Sequence, residues 1–191
     1  TVLSFSDKQK VSARTTQLFD HTESIQNPHL WYPIGCSGTP YLYTVLNKVY
    51  VNGKLADSQS EPFGIREITW DENYCYVNGE KCILRGFGSR NIYPGLGAAI
   101  PAALQWQDIA LIAQCGGNTL RVGHQPPFTE ALKACDAYGG LLIVNSGDGE
   151  WSLKNEPAKT YKREYDREML VAFRNHPSVV IWESNNGLAY D

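Results

Sequence analysis

The chain has 191 residues, is 42% hydrophobic and 19% charged, and carries a formal net charge of -3. That length holds one medium domain or two small ones, and the hydrophobic share suits a globular core. Scattered charges of both signs argue against a nucleic-acid partner, and apolar runs of only a few residues exclude a membrane-spanning helix.

Aromatic residues make up 12% of the chain. Sugars stack on such rings, but a core uses them equally well. The five cysteines, Cys36, Cys75, Cys82, Cys115 and Cys135, include no Cys-x-x-Cys pair, which argues against a zinc site. The chain opens on Thr1 without a signal-peptide pattern and reads as a piece of a longer protein, so compartment stays open.

In chain order, residues 1–66 read as β structure. Lys10 to Leu18 alternates, with Val11, Ala13 and Thr15 on one face. Tyr41 to Val51 is rich in β-branched and aromatic residues and ends in the tight-turn pair Asn52-Gly53. Phe63-Gly64-Ile65-Arg66 closes the segment, and strands at this spacing suggest a sandwich. From Glu67 the pattern changes. A hairpin around Asn78-Gly79 places Cys75 opposite Cys82, where a disulfide is sterically conceivable and two free thiols are favoured. Cys82 to Phe87 reads as a first parallel strand. A helix follows over Pro101 to Cys115, with Leu104, Leu111 and Cys115 on one stripe.

Asn118 to Val122 reads as a second strand. Thr129 caps the next helix, whose inner face holds Ala131, Ala134, Cys135 and Tyr138, and Gly139-Gly140 ends it. Leu141 to Val144 is a continuous apolar run of the kind parallel strands show. The last helix runs from Pro157 to Arg174, with Tyr161, Tyr165, Met169, Ala172 and Phe173 on its inner face, and Ser178 to Trp182 is a fourth strand. Four strand–helix alternations behind a β segment imply a parallel sheet, either half of a (β/α)8 barrel or a smaller open sheet. No helix opens on a glycine-rich phosphate loop, which weighs against a nucleotide fold. In a barrel the C-terminal strand ends build the active site, which puts Glu183, Asn185 and Asn186 where catalytic groups sit.

Several of these stretches together resemble glycoside hydrolase family 2, the β-galactosidase, β-glucuronidase and β-mannosidase group. Asn27-Pro28-His29-Leu30-Trp31-Tyr32-Pro33 with Pro40-Tyr41-Leu42-Tyr43-Thr44 is similar to the family's central sandwich signature, and Phe63-Gly64-Ile65-Arg66 to that domain's last strand. Val77-Asn78-Gly79 with Leu84-Arg85-Gly86 resembles the entry into the barrel. Gly117-Asn118-Thr119-Leu120-Arg121 with His124 and Pro126 resembles the second-strand motif, and Arg174-Asn175-His176-Pro177-Ser178 with Ile181-Trp182 the approach to the fourth strand. The resemblance implies an immunoglobulin-like β-sandwich over residues 1–66, followed over 67–191 by α/β structure: the first half, strands one to four, of a (β/α)8 TIM barrel. A jelly roll and strands five to eight would lie outside the chain.

The implied chemistry is retaining hydrolysis of terminal β-linked sugars by two carboxylates ~5 Å apart, with β-galactosides as the default substrate. The nucleophile comes from a later strand in the family, so the chain alone is expected to be inactive. Laid against the family's Trp-x-x-x-Asn-Glu ending, Asn186 matches the Asn that binds the sugar's 2-hydroxyl, or is a turn-forming Asn. Gly187 stands where the acid/base Glu is expected. Glu183 either replaces that acid or, the favoured reading, pairs inside the barrel with an arginine such as Arg121. Asp148 and Glu150, in the loop after strand three, are the other acid candidates, although Asp-Gly there also fits a simple turn.

Arg121 and His124 match residues that in the family contact sugar or order the carboxylates; the alternatives are a structural ion pair inside the barrel for Arg121 and a surface-loop histidine before Pro126-Pro127 for His124. Gln125 follows where the family commonly has Tyr. Arg90, in Gly88-Ser89-Arg90-Asn91, matches the Arg of an Asn-Arg-His triplet, and His176 is assigned to structure. No organic cofactor is implied, and a Mg or Na ion is compatible with the resemblance but demanded by no ligand cluster. The implied partner is a carbohydrate, with neither nucleic acid nor membrane. A homo-oligomer and a periplasmic or extracellular location both fit a polysaccharide-degrading full-length protein. A non-catalytic carbohydrate-binding protein on the same fold is the alternative.

Overall fold

The computed structural model describes residues 2–147 and 155–186. Antiparallel β structure comes first and parallel β/α units follow, the arrangement of a partial TIM barrel. Strands β1 (Tyr43–Val51) and β2 (Lys54–Phe63) pair antiparallel across Asn52-Gly53. Both turn residues have positive φ, +50° and +76°, which Asn and Gly adopt at little cost. Lys10–Leu18 forms no strand, contrary to its alternation. A strand needs a partner for its backbone groups, and β1 and β2 are already paired with each other.

A three-stranded meander, β3 (Ile68–Trp70), β4 (Cys75–Val77) and β5 (Glu80–Cys82), turns at Asn78-Gly79. All five cysteines are free thiols, and Cys75 and Cys82 are register partners. Because β5 takes Cys82, the first parallel strand begins later than the apolar run suggests: β6 is Gly86–Ser89.

The parallel sheet then runs β6, β7 (Thr119–Val122), β8 (Leu141–Asn145) and β9 (Val179–Glu183) in spatial order. Helices α1 (Ala102–Gln114), α2 (Thr129–Tyr138) and α3 (Glu156–Phe173) are the crossovers. In α1 the buried residue is Ile109, with Ile112 packed beside it, while Leu111 and Cys115 are exposed; the stripe lies one residue round from the expected one. Thr129 is the first helical residue of α2 rather than its cap, because Phe128 delivers the chain in extended form. The N-cap of α3 is Asn155, whose Oδ1 accepts from Ala158 N at 2.9 Å. Met169 anchors the inner face of α3; Tyr161 and Ala172 are exposed, as is Tyr138 on α2.

Side chains alternate across the strands. Leu120, Val122, Leu142, Val144 and Val179 face the helices and form one core with Ile109, Leu132, Ala134, Cys135 and Met169. A second core closes the other end, at the strands' start, where Trp31, Cys75, Val77 and Cys82 pack on Leu141 and Val180. Trp31 Nε1 donates to the Asp136 carbonyl at 2.8 Å, and Arg66 donates to the carbonyls of Pro177 and Val179, both at 2.8 Å. The Asp136 carboxylate is 2% exposed and meets His176 Nδ1 at 2.5 Å, Ser178 Oγ at 2.6 Å and Ser178 N at 3.2 Å. Those contacts assign His176 to structure.

Gly139 ends α2 at φ +79°, and its carbonyl accepts from Ile34 N at 2.8 Å. A Cβ there would sit 3.1 Å from Ile34 N and 3.2 Å from Tyr32 O, both backbone. Gly139→Ala is therefore expected to destabilise the protein by about 1–3 kcal/mol, from left-handed strain plus overpacking. Urea unfolding measures this, and an unchanged midpoint would refute the close approach.

Candidate active site

The strand register builds the site. Gly88, Arg121, Ile143 and Ile181 are consecutive partners across the four strands, and Asn145 partners Glu183. Arg121 and Glu183 thus point to the face opposite the helix-packed core, near the C-terminal ends of β7 and β9. There Arg121 Nε donates to Glu183 Oε2 at 2.9 Å and Nη2 donates to Oε1, a two-pronged pair. The same Nη2 also donates to Asn186 Oδ1 at 2.9 Å. The side chains of Arg121 and Glu183 are 35% and 19% exposed, so the pair is only partly screened by water. The favoured pairing of Glu183 with Arg121 is the one that forms.

Gly123 lets the guanidinium lie where it does, since a Cβ at 123 would come within 2.8 Å of Arg121 Nη1. His124 follows, half-buried. Arg90 is exposed at the exit of β6, with its carbonyl accepting from Gln125 Nε2 at 3.1 Å. Its neighbour Asn91 is 5% exposed and donates to the Pro126 carbonyl at 2.9 Å, tying the first and second strand exits together. Asp148, Glu150 and Gly187 lie outside the described residues.

Four residues beside this cluster were missed by sequence reasoning. Asn145 is fully buried; its Oδ1 accepts from Gly147 N at 2.6 Å, and its Nδ2 has no hydrogen-bond partner among the described residues. Ser146 Oγ donates to the Ser184 carbonyl at 3.1 Å and contacts Asp166 Oδ1. Lys162 Nζ donates to Ser146 Oγ at 2.5 Å and to the Gly147 carbonyl at 2.7 Å. This network pins the exit of β8 to α3 and to the residue after Glu183. The available signals were the first polar residues after an apolar run, Asn145-Ser146, and the i,i+4 pair Lys162 and Asp166.

A cavity of about 310 Å³ lies on the other face of the sheet, lined by Phe87, Ile109, Ile112, Leu120 and Phe128. It is on the helix side and does not include the Arg121 cluster. Among the described residues no three His, Cys, Asp or Glu side chains gather so as to hold a metal ion.

A family model for glycosyl hydrolases family 2 matches residues 2–66, and the model for that family's TIM barrel domain matches residues 68–190. The chain belongs to glycoside hydrolase family 2. It is 33% identical over 168 residues to a β-glucuronidase of Formosa agariphila, covering 85% of this chain and 16% of that protein. It is 31% identical over 160 residues to a β-galactosidase of Thermoanaerobacter pseudethanolicus, covering 83% and 21%. The apo structure of β-glucuronidase 3 from Bacteroides uniformis superposes with a TM-score of 0.74 at 30% identity, over 85% of this chain and 20% of that one. The chain thus spans about a fifth of the length of these relatives.

Proposed function

We propose that the chain is the first half of the catalytic barrel, with part of the preceding sandwich, of a retaining β-glycosidase acting on terminal β-linked sugars. The observation that carries this reading is the Arg121–Glu183–Asn186 cluster at the strand ends. Retaining hydrolysis needs one carboxylate to attack the anomeric carbon and another to protonate the leaving oxygen. The attacking carboxylate is supplied from outside this chain, so the chain by itself does not turn over substrate. Both oxygens of Glu183 accept from Arg121, so neither is placed to give a proton to a leaving group. Glu183 therefore acts in this reading as a fixed acceptor for sugar hydroxyls, with Asn186, His124 and Arg90 as further sugar contacts. The proton donor is then Asp148 or Glu150.

The test is hydrolysis of aryl β-galactosides and β-glucuronides with good and poor leaving groups by the full-length protein and its Glu183→Gln variant. A positioning role predicts a loss of about 10²-fold that is the same for all leaving groups. Were Glu183 the acid, the loss would concentrate on poor leaving groups, which need the proton. Within the panel β-galactosides are the default, and the β-glucuronidase relative supports the uronide as the second reading.

A sugar-binding protein without catalysis is the other reading, favoured by Gly187 in place of the family's Glu. It predicts calorimetric binding of the same sugars with no hydrolysis of any.

A further inference from the structure

Three of the five cysteines meet in the core at the strands' start. Cys75 and Cys82 are 2% and 3% exposed and face each other in the β4–β5 hairpin. Cys36, half-buried in the loop after Trp31, packs on the same cluster. The backbone on both sides is held. Ser37 donates to Glu80, two residues before Cys82, from its N at 2.8 Å and its Oγ at 2.7 Å. Asn118 Nδ2 reaches the Ile34 carbonyl at 3.1 Å and lies 4.0 Å from Cys82 Sγ.

We propose that Cys36 and Cys82 form a redox site that closes to an intramolecular disulfide under oxidising conditions, joining the segment before the barrel to the hairpin that plugs it. Cys36 is chosen over Cys75 for two reasons. It alone of the three has solvent access, which an oxidant needs. It also sits in a loop whose Sγ can swing, whereas Cys75 is on a strand paired on both sides.

With hydrogen peroxide as oxidant, the Cys36 thiolate attacks one peroxide oxygen, the O–O bond breaks, and hydroxide leaves to become water with the thiol's proton. The Cys82 thiolate then attacks the Cys36 sulfenic sulfur. The S–S bond forms, the S–O bond breaks, and a second hydroxide leaves as water. Two thiols and one peroxide become one disulfide and two waters. Burial pushes the Cys36 thiol up to about 12 and raises Cys82 as well. Thiolate is therefore scarce at neutral pH, and closure is slow there and faster in mild alkali.

The experiment treats the reduced full-length protein with hydrogen peroxide at neutral and mildly alkaline pH, blocks remaining thiols with iodoacetamide, and maps non-reduced peptides by mass spectrometry. Expected are the loss of two alkylatable thiols, a peptide linking Cys36 to Cys82, and reversal by dithiothreitol. Cys75→Ser keeps the link and Cys36→Ser abolishes it; the latter, at a half-buried position, decides the matter even if Cys82→Ser fails to fold. A Cys75–Cys82 link, oxidation confined to exposed Cys115, or full alkylation after treatment would each overturn the proposal.

Discussion

Arg121→Met in the full-length protein is expected to lower kcat/KM by about 10²- to 10³-fold while leaving the fold intact. Arg121 holds both oxygens of Glu183 and the Asn186 carbonyl oxygen from one guanidinium. Methionine fills similar volume but donates nothing, so a largely buried carboxylate loses its partner and Asn186 its tether. Lysine keeps the charge without the fork, and Arg121→Lys should fall between methionine and wild type. Because the two residues act as one unit, Arg121→Met combined with Glu183→Gln should be hardly worse than the weaker single variant. Steady-state kinetics beside circular dichroism measures all of these. Additive losses, or an Arg121→Met enzyme near wild-type activity, would dissolve the cluster as a functional unit.

Asp136→Ala has the largest expected effect on stability, about 3 kcal/mol. It strips His176 Nδ1 and both Ser178 donors of their shared acceptor at a site 2% exposed to water. The figure sits at the low end for a broken buried pair because the His176 side chain is 21% exposed and partly reaches solvent. Asp136→Asn keeps an acceptor oxygen for Ser178 and should lose less. Equilibrium unfolding in urea reads both, and an Asp136→Ala midpoint equal to wild type would remove the carboxylate from the account of stability.

Much of this architecture was legible because periodicity and turn chemistry are local. Leu141–Val144 is a buried parallel strand, Asn52-Gly53 and Asn78-Gly79 are tight turns, and Gly139 ends α2 in the left-handed region. What was misread depends on pairing. Lys10–Leu18 alternates but has no strand beside it. Gly86-Phe87-Gly88-Ser89 has little intrinsic strand preference and is a strand because β7 pairs with it, with Gly86 close against the Thr119 backbone.

At the site the same division holds. Alternation along β7 sets Arg121 opposite Leu120 and Val122, but Glu183 reaches that face through an irregularity in the β8–β9 register between Leu142 and Ile143, which simple alternation from helix-facing Val179 does not foretell. The Ser146–Lys162–Asp166 network joins a strand exit to a helix about twenty residues on. No local pattern carries that information.

The junction formed by Trp31, Arg66, Asp136 and Pro177 bears on how this family can be recombined. Trp31 and Arg66 lie before the barrel, yet their donors end on the backbone of α2 and on the turn into β9. The leading segment is therefore not an interchangeable module hung on a self-sufficient catalytic unit. A chimera that exchanges it must carry the tryptophan and the arginine with it, or inherit three unanswered carbonyls in the barrel it was meant to serve.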